Sequence, residues 1–259
     1  MCGTIGATRV ARAKPDGYTL LFYHIGLATS PALYKDRLAF NPVSDLEPVG
    51  LVNEVAMTIV VRPGFAVKNL QGLMSRLKSD SRQVKIGHAG IGSASHLCTL
   101  LIAKEVKTSP LESIPYRGTG PAMTDLLGGH IDVICDLVTS ASSAIQSKTA
   151  IALAVTSKYR LPILPTVPTT AEAGANGLEM TNWNAVLAPA NTPAAIVARL
   201  SSALRTALVE PRVIEKFSEV GSRPIEWERS TPAALRQHLS AEIARWTPII
   251  ESAGDGSSQ

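Results

Sequence analysis

The chain has 259 residues, 45% of them hydrophobic and 18% charged, enough to bury a sizeable core as one large or two modest domains. Its formal net charge of +4 is mild and its Lys and Arg residues are scattered, which argues against nucleic acid and favours small anionic partners. No apolar run approaches the length needed to span a bilayer.

Short apolar runs alternate with amphipathic stretches, the pattern of an α/β protein. Tyr18 to Tyr23 and Val55 to Val61 are β-branched or aromatic runs of strand length, and a helix is predicted over Asn69 to Leu77, with Leu70, Leu73, Met74 and Leu77 on one face. A middle block follows: strand Val84 to Ala89, a glycine loop, helix Ala94 to Val106, strand Ser113 to Tyr116, a second glycine loop, helix Pro121 to Leu127, and strands Ile131 to Cys135 and Ala150 to Thr156. Residues 160–177 carry Pro162, Pro165 and Pro168 and read as an ordered irregular segment. After a strand from Thr181 to Ala188 the tail is helical. Thr192-Pro193 opens one helix, Pro211 and Gly221 bracket a second, and Thr231-Pro232 opens a third that buries Leu235, Leu239, Ile243, Trp246 and Ile250.

The two glycine loops carry the chemistry. In Gly87-His88-Ala89-Gly90-Ile91-Gly92-Ser93-Ala94-Ser95-His96, Gly90 and Gly92 let backbone approach a ligand, and Ser93 or Ser95 can cap the helix and offer a hydroxyl. In Tyr116-Arg117-Gly118-Thr119-Gly120-Pro121, Thr119 reads as the cap, Gly120 as a bare amide and Pro121 as the first helical residue. A tight strand-to-helix turn needs the same glycines, so either loop alone reads both ways. Together, at the carboxyl ends of adjacent strands, two helix N-termini would converge on one anionic group. Asp136, at the end of its strand, either faces that crevice or caps the Ser-rich turn that follows; Asp132 is less well placed.

Other chemistries fit less well. Gly87, Gly90 and Gly92 do not make G-x-G-x-x-G, and no Lys follows either loop as in a P-loop. Ser93 and His96 lie three apart on a helix, but no G-x-S-x-G elbow surrounds the serine. His88, His96 and His130 read as isolated. Cys2, Cys98 and Cys135 show no disulfide framework and no metal spacing with any His, so Cys98 and Cys135 read as small core groups. Neither a metal nor a cofactor is expected.

Longer runs carry a resemblance. Gly3-Thr4-Ile5-Gly6-Ala7, Ala13-Lys14-Pro15-Asp16-Gly17-Tyr18-Thr19-Leu20-Leu21, Pro31-Ala32-Leu33-Tyr34 and Asn41 to Val49 are similar, in order, to the Bug-type (TctC-like) extracytoplasmic solute receptors of tripartite tricarboxylate transporters. So are Gly92-Ser93 with His96-Leu97, Pro115-Tyr116-Arg117-Gly118, Asp125 to Gly129, Leu164-Pro165-Thr166-Val167-Pro168-Thr169 with Ala171 to Gly174, and Ala188-Pro189 with Thr192-Pro193.

The resemblance implies an α/β type II periplasmic-binding-protein fold of two lobes joined by crossover strands. Residues 1–61 plus 183–259 would form the first lobe and 62–182 the second. It implies ligand contacts at Gly92, Ser93, Ala94, Thr119 and Gly120, and at Gly26 in the first lobe. It also implies a non-enzymatic, monomeric receptor that captures a small organic carboxylate for membrane permease subunits. The rival functions are a serine-type hydrolase using Ser93 and His96, and a ligand-sensing partner of a membrane kinase. Related receptors begin with an export signal, a strand, a Pro-Gly-Gly loop and a further strand ahead of the segment that starts here at Gly3. The first lobe is therefore expected to be incomplete as written, with a periplasmic protein if the true start lies upstream and a cytoplasmic one otherwise.

Overall fold

The computed structural model describes residues 3–107 and 111–253. The chain divides into two compact units. Unit 1 takes the residues up to Glu54, Trp183–Phe217 and those from Arg223 on; unit 2 takes Val55–Asn182 with Ser218–Ser222.

The first segment carries α1 (Thr4–Ala11), β1 (Leu21–His24), α2 (Gly26–Tyr34) and the long strand β2 (Leu46–Val61). The middle carries α3 (Leu70–Ser79), β3 (Ile86–His88), α4 (Ala94–Val106), β4 (Ser113–Pro115), α5 (Thr119–Leu127), β5 (Val133–Leu137), α6 (Val138–Gln146) and β6 (Ile151–Val155). The last carries β7 (Thr181–Pro189), α7 (Ala194–Leu208), α8 (Pro211–Glu219), β8 (Ser222–Pro224) and α9 (Pro232–Ser252). The chain passes between units within β2, at Glu54–Val55, and within β7, at Asn182–Trp183.

In unit 1, β1 pairs antiparallel with β7, from Leu21 opposite Leu187 to His24 opposite Asn184. Helix α2 packs against α9, which buries Leu235, Leu239, Glu242, Trp246, Ile249 and Ile250, while Ile243 is only partly covered. The carboxylate of Glu242 is the polar centre of this core: its Oε2 accepts from Trp183 Nε1 at 3.1 Å and Trp246 Nε1 at 3.0 Å, which satisfies both buried indoles. Thr231 caps α9 by accepting from Ala234 N at 3.1 Å. Thr192 does not cap α7. Its hydroxyl donates to Pro189 O at 2.7 Å, and the helix starts two residues later, at Ala194.

In unit 2, residues 57–61 of β2 pair antiparallel with β5, and residues 58–61 with β6. β5 pairs parallel with β3, and β3 parallel with β4. Val60, Ala122, Leu126, Ile131, Ile134 and Ala141 pack between this sheet and helices α5 and α6. The 160–177 segment is indeed ordered: Thr169 N donates to Glu172 Oε2, Glu172 N to Thr169 Oγ1, and Arg160 Nε pairs with Glu172 at 2.9 Å.

Three helices escape the periodicity argument. α2 buries Gly26, Leu27, Ala28, Thr29, Ser30 and Ala32, so it has no polar face to set a 3.6-residue rhythm. α6, expected as a Ser-rich turn, buries a stripe of Val138, Ala141 and Ala144 beneath its serines. α1 buries only Thr4, Ala7 and Val10. β2 also starts well before Val55; its polar residues find partners, as when Asn184 Nδ2 donates to Asn53 Oδ1 at 2.8 Å and Arg229 Nη2 to Glu54 Oε1 at 2.9 Å.

Candidate functional site

Because β3, β4 and β5 run parallel, their carboxyl ends share one edge of unit 2, the position where open α/β sheets receive ligands. α4 follows β3 and α5 follows β4, so both helices begin there with the uncompensated N–H groups and positive dipole of a helix start.

Ser93 is the N-cap of α4, with extended backbone, and its Oγ accepts from His96 N at 3.1 Å. The hydroxyl hydrogen is left to donate elsewhere. Ala94, buried, is the first helical residue. Gly90 and Gly92 have φ of 110° and 81°, the region that favours glycine, and a Cβ on Gly90 would stand 3.1 Å from the Tyr116 carbonyl oxygen. That close approach places the two loops against each other.

The glycine amides, however, are not bare. Gly90 N donates to His88 Nδ1 at 3.2 Å, and Gly92 N to His96 Nδ1 at 3.3 Å. The rings of His88 and His96 pack 4.7 Å apart, so these histidines are not isolated, as the spacing alone suggested. Burial, with repulsion from His88 second, pushes the His96 imidazole down to about 4; burial also lowers His88. Both rings are therefore neutral near pH 7, accepting at Nδ1 and carrying the proton on Nε2. Unit 1 repeats the device: Gly26 N donates to His24 Nδ1 at 2.9 Å. His-x-Gly, present as His24-Ile25-Gly26 and His88-Ala89-Gly90, is the sequence signal that marks it.

At the second loop the cap moves by one residue. Gly118, with φ of 108°, is the N-cap of α5; Thr119 is the first helical residue and Pro121 the third. Gly118 needs the conformation that Thr119 lacks, which is why the glycine takes the cap position. Thr119 is half-buried and Gly120 exposed.

Asp136 is 2% exposed near the end of β5. Its Oδ1 accepts from Leu137 N at 2.7 Å, and its buried Oδ2 has no partner in hydrogen-bond geometry. Burial raises this carboxyl above the usual range, opposed by the neighbouring Thr119 hydroxyl and the Leu137 amide. Thr58, opposite Asp136 in the β2–β5 register, also has a buried hydroxyl without a partner. Asp136 does not cap the segment after it, since α6 begins without a side-chain cap. Asp132 is structural: its Oδ1 accepts from Arg62 Nε at 2.8 Å and its Oδ2 from Lys85 N at 2.9 Å.

Thus Gly92, Ser93, Ala94, Thr119, Gly120 and Asp136 all belong to unit 2. Gly26 belongs to unit 1, with its amide held by His24 and no room for a Cβ, which would meet the His24 ring at 2.6 Å.

The cysteines require a correction. Cys98 and Cys135 form a disulfide that joins α4 to β5, with Cα atoms 6.0 Å apart across 37 residues of sequence. Only their arrival on facing elements reveals it, for neither spacing nor count separates a buried bridge from two buried thiols. Ser93 and His96 also fail to form a hydrolytic pair: the serine oxygen accepts from the His96 backbone, and the ring accepts from Gly92. Among the described residues no three His, Cys, Asp or Glu side chains cluster as a metal site, and no helix is long and apolar enough to cross a membrane.

Residues 1–254 match the sequence profile of the tripartite tricarboxylate transporter family receptor, TctC. The chain belongs to this family. A UPF0065 protein in the TAR-I ttuE-ttuC' intergenic region of Agrobacterium vitis is 45% identical over 252 residues, 97% of this chain and 72% of that protein. Among solved structures, the periplasmic binding protein BugD is 38% identical with a TM-score of 0.86, covering 98% of this chain and 84% of that one. MatC from Rhodopseudomonas palustris, solved with bound malate, is 34% identical with a TM-score of 0.84, covering 96% and 84%. The fold is thus that of the two-lobed periplasmic binding proteins, and the chain is a tripartite tricarboxylate transporter family receptor, not an enzyme.

Proposed function

We propose that the carboxyl edge of unit 2 forms the seat for a carboxylate group of the captured solute. In this reading the Ser93 hydroxyl and Ala94 amide donate from α4, Thr119 and Gly120 donate from α5, and Asp136 lies beside Thr119 and shapes the seat. Gly92 contributes the left-handed backbone that lets His96 hold its amide, and in unit 1, taken by itself, the bare Cα of Gly26 leaves room for the His24 ring that holds its amide. The observation that carries the reading is the contact of the two loops, Gly90 against the Tyr116 carbonyl, which brings the starts of α4 and α5 to one edge.

The receptor works in the periplasm as a monomer and hands its solute to the membrane permease subunits of a tripartite transporter. A buried disulfide supports an oxidising compartment. Because MatC holds malate, four-carbon dicarboxylates are the first solutes to test. The full chain should be titrated with malate, succinate, citrate, glutamate and benzoate while thermal unfolding is followed. At about a hundredfold excess over Kd, a bound acid adds about 2.7 kcal/mol of stability. A rise in Tm with at least one acid supports the reading; no shift with any of them overturns it.

A further inference from the structure

We propose that the Cys98–Cys135 disulfide is a positioning device for the carboxylate seat, an inference that rests on the site reading above. Every proposed contact in unit 2 lies beside or inside the loop that this bond closes. Ser93 and Ala94 occupy the start of α4 just before Cys98, Thr119 and Gly120 lie within the loop, and Asp136 follows Cys135 directly.

The start of α4 is tied to β5 twice, once in its first turn and once in its second. Ser95 Oγ donates to the Cys135 carbonyl at 2.6 Å, and one turn further along Cys98 is bonded to the same residue. Cys98 and Cys135 are fully buried and Ser95 is 2% exposed. A helix free to slide or turn on β5 would carry the Ser93 hydroxyl and Ala94 amide out of register with Thr119 and Asp136. Two ties to one residue remove that freedom before the solute arrives, so the ordering cost is not charged against binding. Because both sulfurs are buried, reductant reaches them only through opening of unit 2. The bond is a permanent brace rather than a rapid switch.

Reduction by a dithiol such as dithiothreitol breaks the S–S bond; Cys98 and Cys135 each gain an electron and a proton to become thiols, and the reagent leaves as its cyclic disulfide. With three cysteines in the chain, thiol titration in guanidinium should count one without reductant, Cys2, and three after reduction. The oxidised chain, the reduced chain and the Cys98→Ala/Cys135→Val variant are titrated with malate, and with whichever acid of the panel gives the largest thermal shift. Calorimetry is run at a temperature where all three give native circular dichroism. The expected result is a Kd raised about fivefold or more in both the reduced chain and the variant, with no response of the variant to dithiothreitol, and faster amide exchange over residues 92–97. Should reduction unfold the chain, the variant carries the comparison. Binding within about twofold of the oxidised chain, or three thiols counted without reductant, overturns the proposal. If the oxidised chain binds no acid at all, the site reading itself falls, and this inference with it.

Discussion

Ser93 does two jobs that substitution can separate. Its oxygen caps α4 by accepting from His96 N at 3.1 Å, and its hydrogen is proposed to donate to the solute carboxylate. Ser93→Ala removes both. Losing the cap costs about 1 kcal/mol, which for a chain of this size lowers Tm by roughly 2–4 °C. Losing a hydrogen bond to a charged partner costs about 1.5–3 kcal/mol of binding, so Kd rises roughly tenfold to a hundredfold. Ser93→Asp keeps a capping oxygen and adds negative charge at the positive end of α4, so its Tm stays at or above that of the parent. The same carboxylate sits where the solute's must sit. Two such charges about 4 Å apart repel by about 4 kcal/mol at an effective dielectric near 20, a loss of roughly a thousandfold. Thermal unfolding and titration calorimetry on the parent and both variants read the two jobs independently. A stable Ser93→Asp protein that binds its acid as tightly as the parent would refute the assignment of this helix start as the seat.

Two further predictions test the packing around this site and within the core of unit 1. In His96 the folded-state value is depressed to about 4, so between that value and the ordinary 6.5 the unfolded chain binds the extra proton. Stability should therefore be fully present above pH 6.5 and fall as the pH drops toward 4, by up to about 3 kcal/mol, and His96→Gln should flatten this slope in urea titrations at pH 7 and pH 4.5. In unit 1, Glu242→Leu strands two buried indole N–H groups and should cost about 2–6 kcal/mol in chemical denaturation, whereas Glu242→Gln keeps an acceptor oxygen and should cost less than half as much. Equal losses in the two variants would show that the carboxylate oxygen is not the shared acceptor.

Much of unit 2 was legible because its signals are local. Leu70, Leu73, Met74 and Leu77 mark α3 by period, and Ser93 marks the start of α4 by its capping chemistry. What escaped depends on partners distant in sequence. β2 extends back to Leu46 because its backbone pairs with β7 and β8, strands far along the chain. The Cys98–Cys135 bond forms because α4 packs on β5. The glycine loops themselves were legible, yet their meaning was incomplete. Glycine supplies the backbone shape, and the amides that looked free at Gly90 and Gly92 are held by His88 and His96. In the proposed seat the donors are instead the Ser93 hydroxyl and the first amides of the helices, one or two residues further along.

The most direct test is to follow backbone amide resonances of the isotope-labelled full chain during titration with the acid that stabilises it most. If the starts of α4 and α5 form the seat, the amides of Ala94 and Gly120 shift together and saturate with the Kd measured by calorimetry, while those of Gly90 and Gly92, already bonded to histidine rings, move less. Saturating binding that leaves Ala94 and Gly120 unmoved would contradict the account.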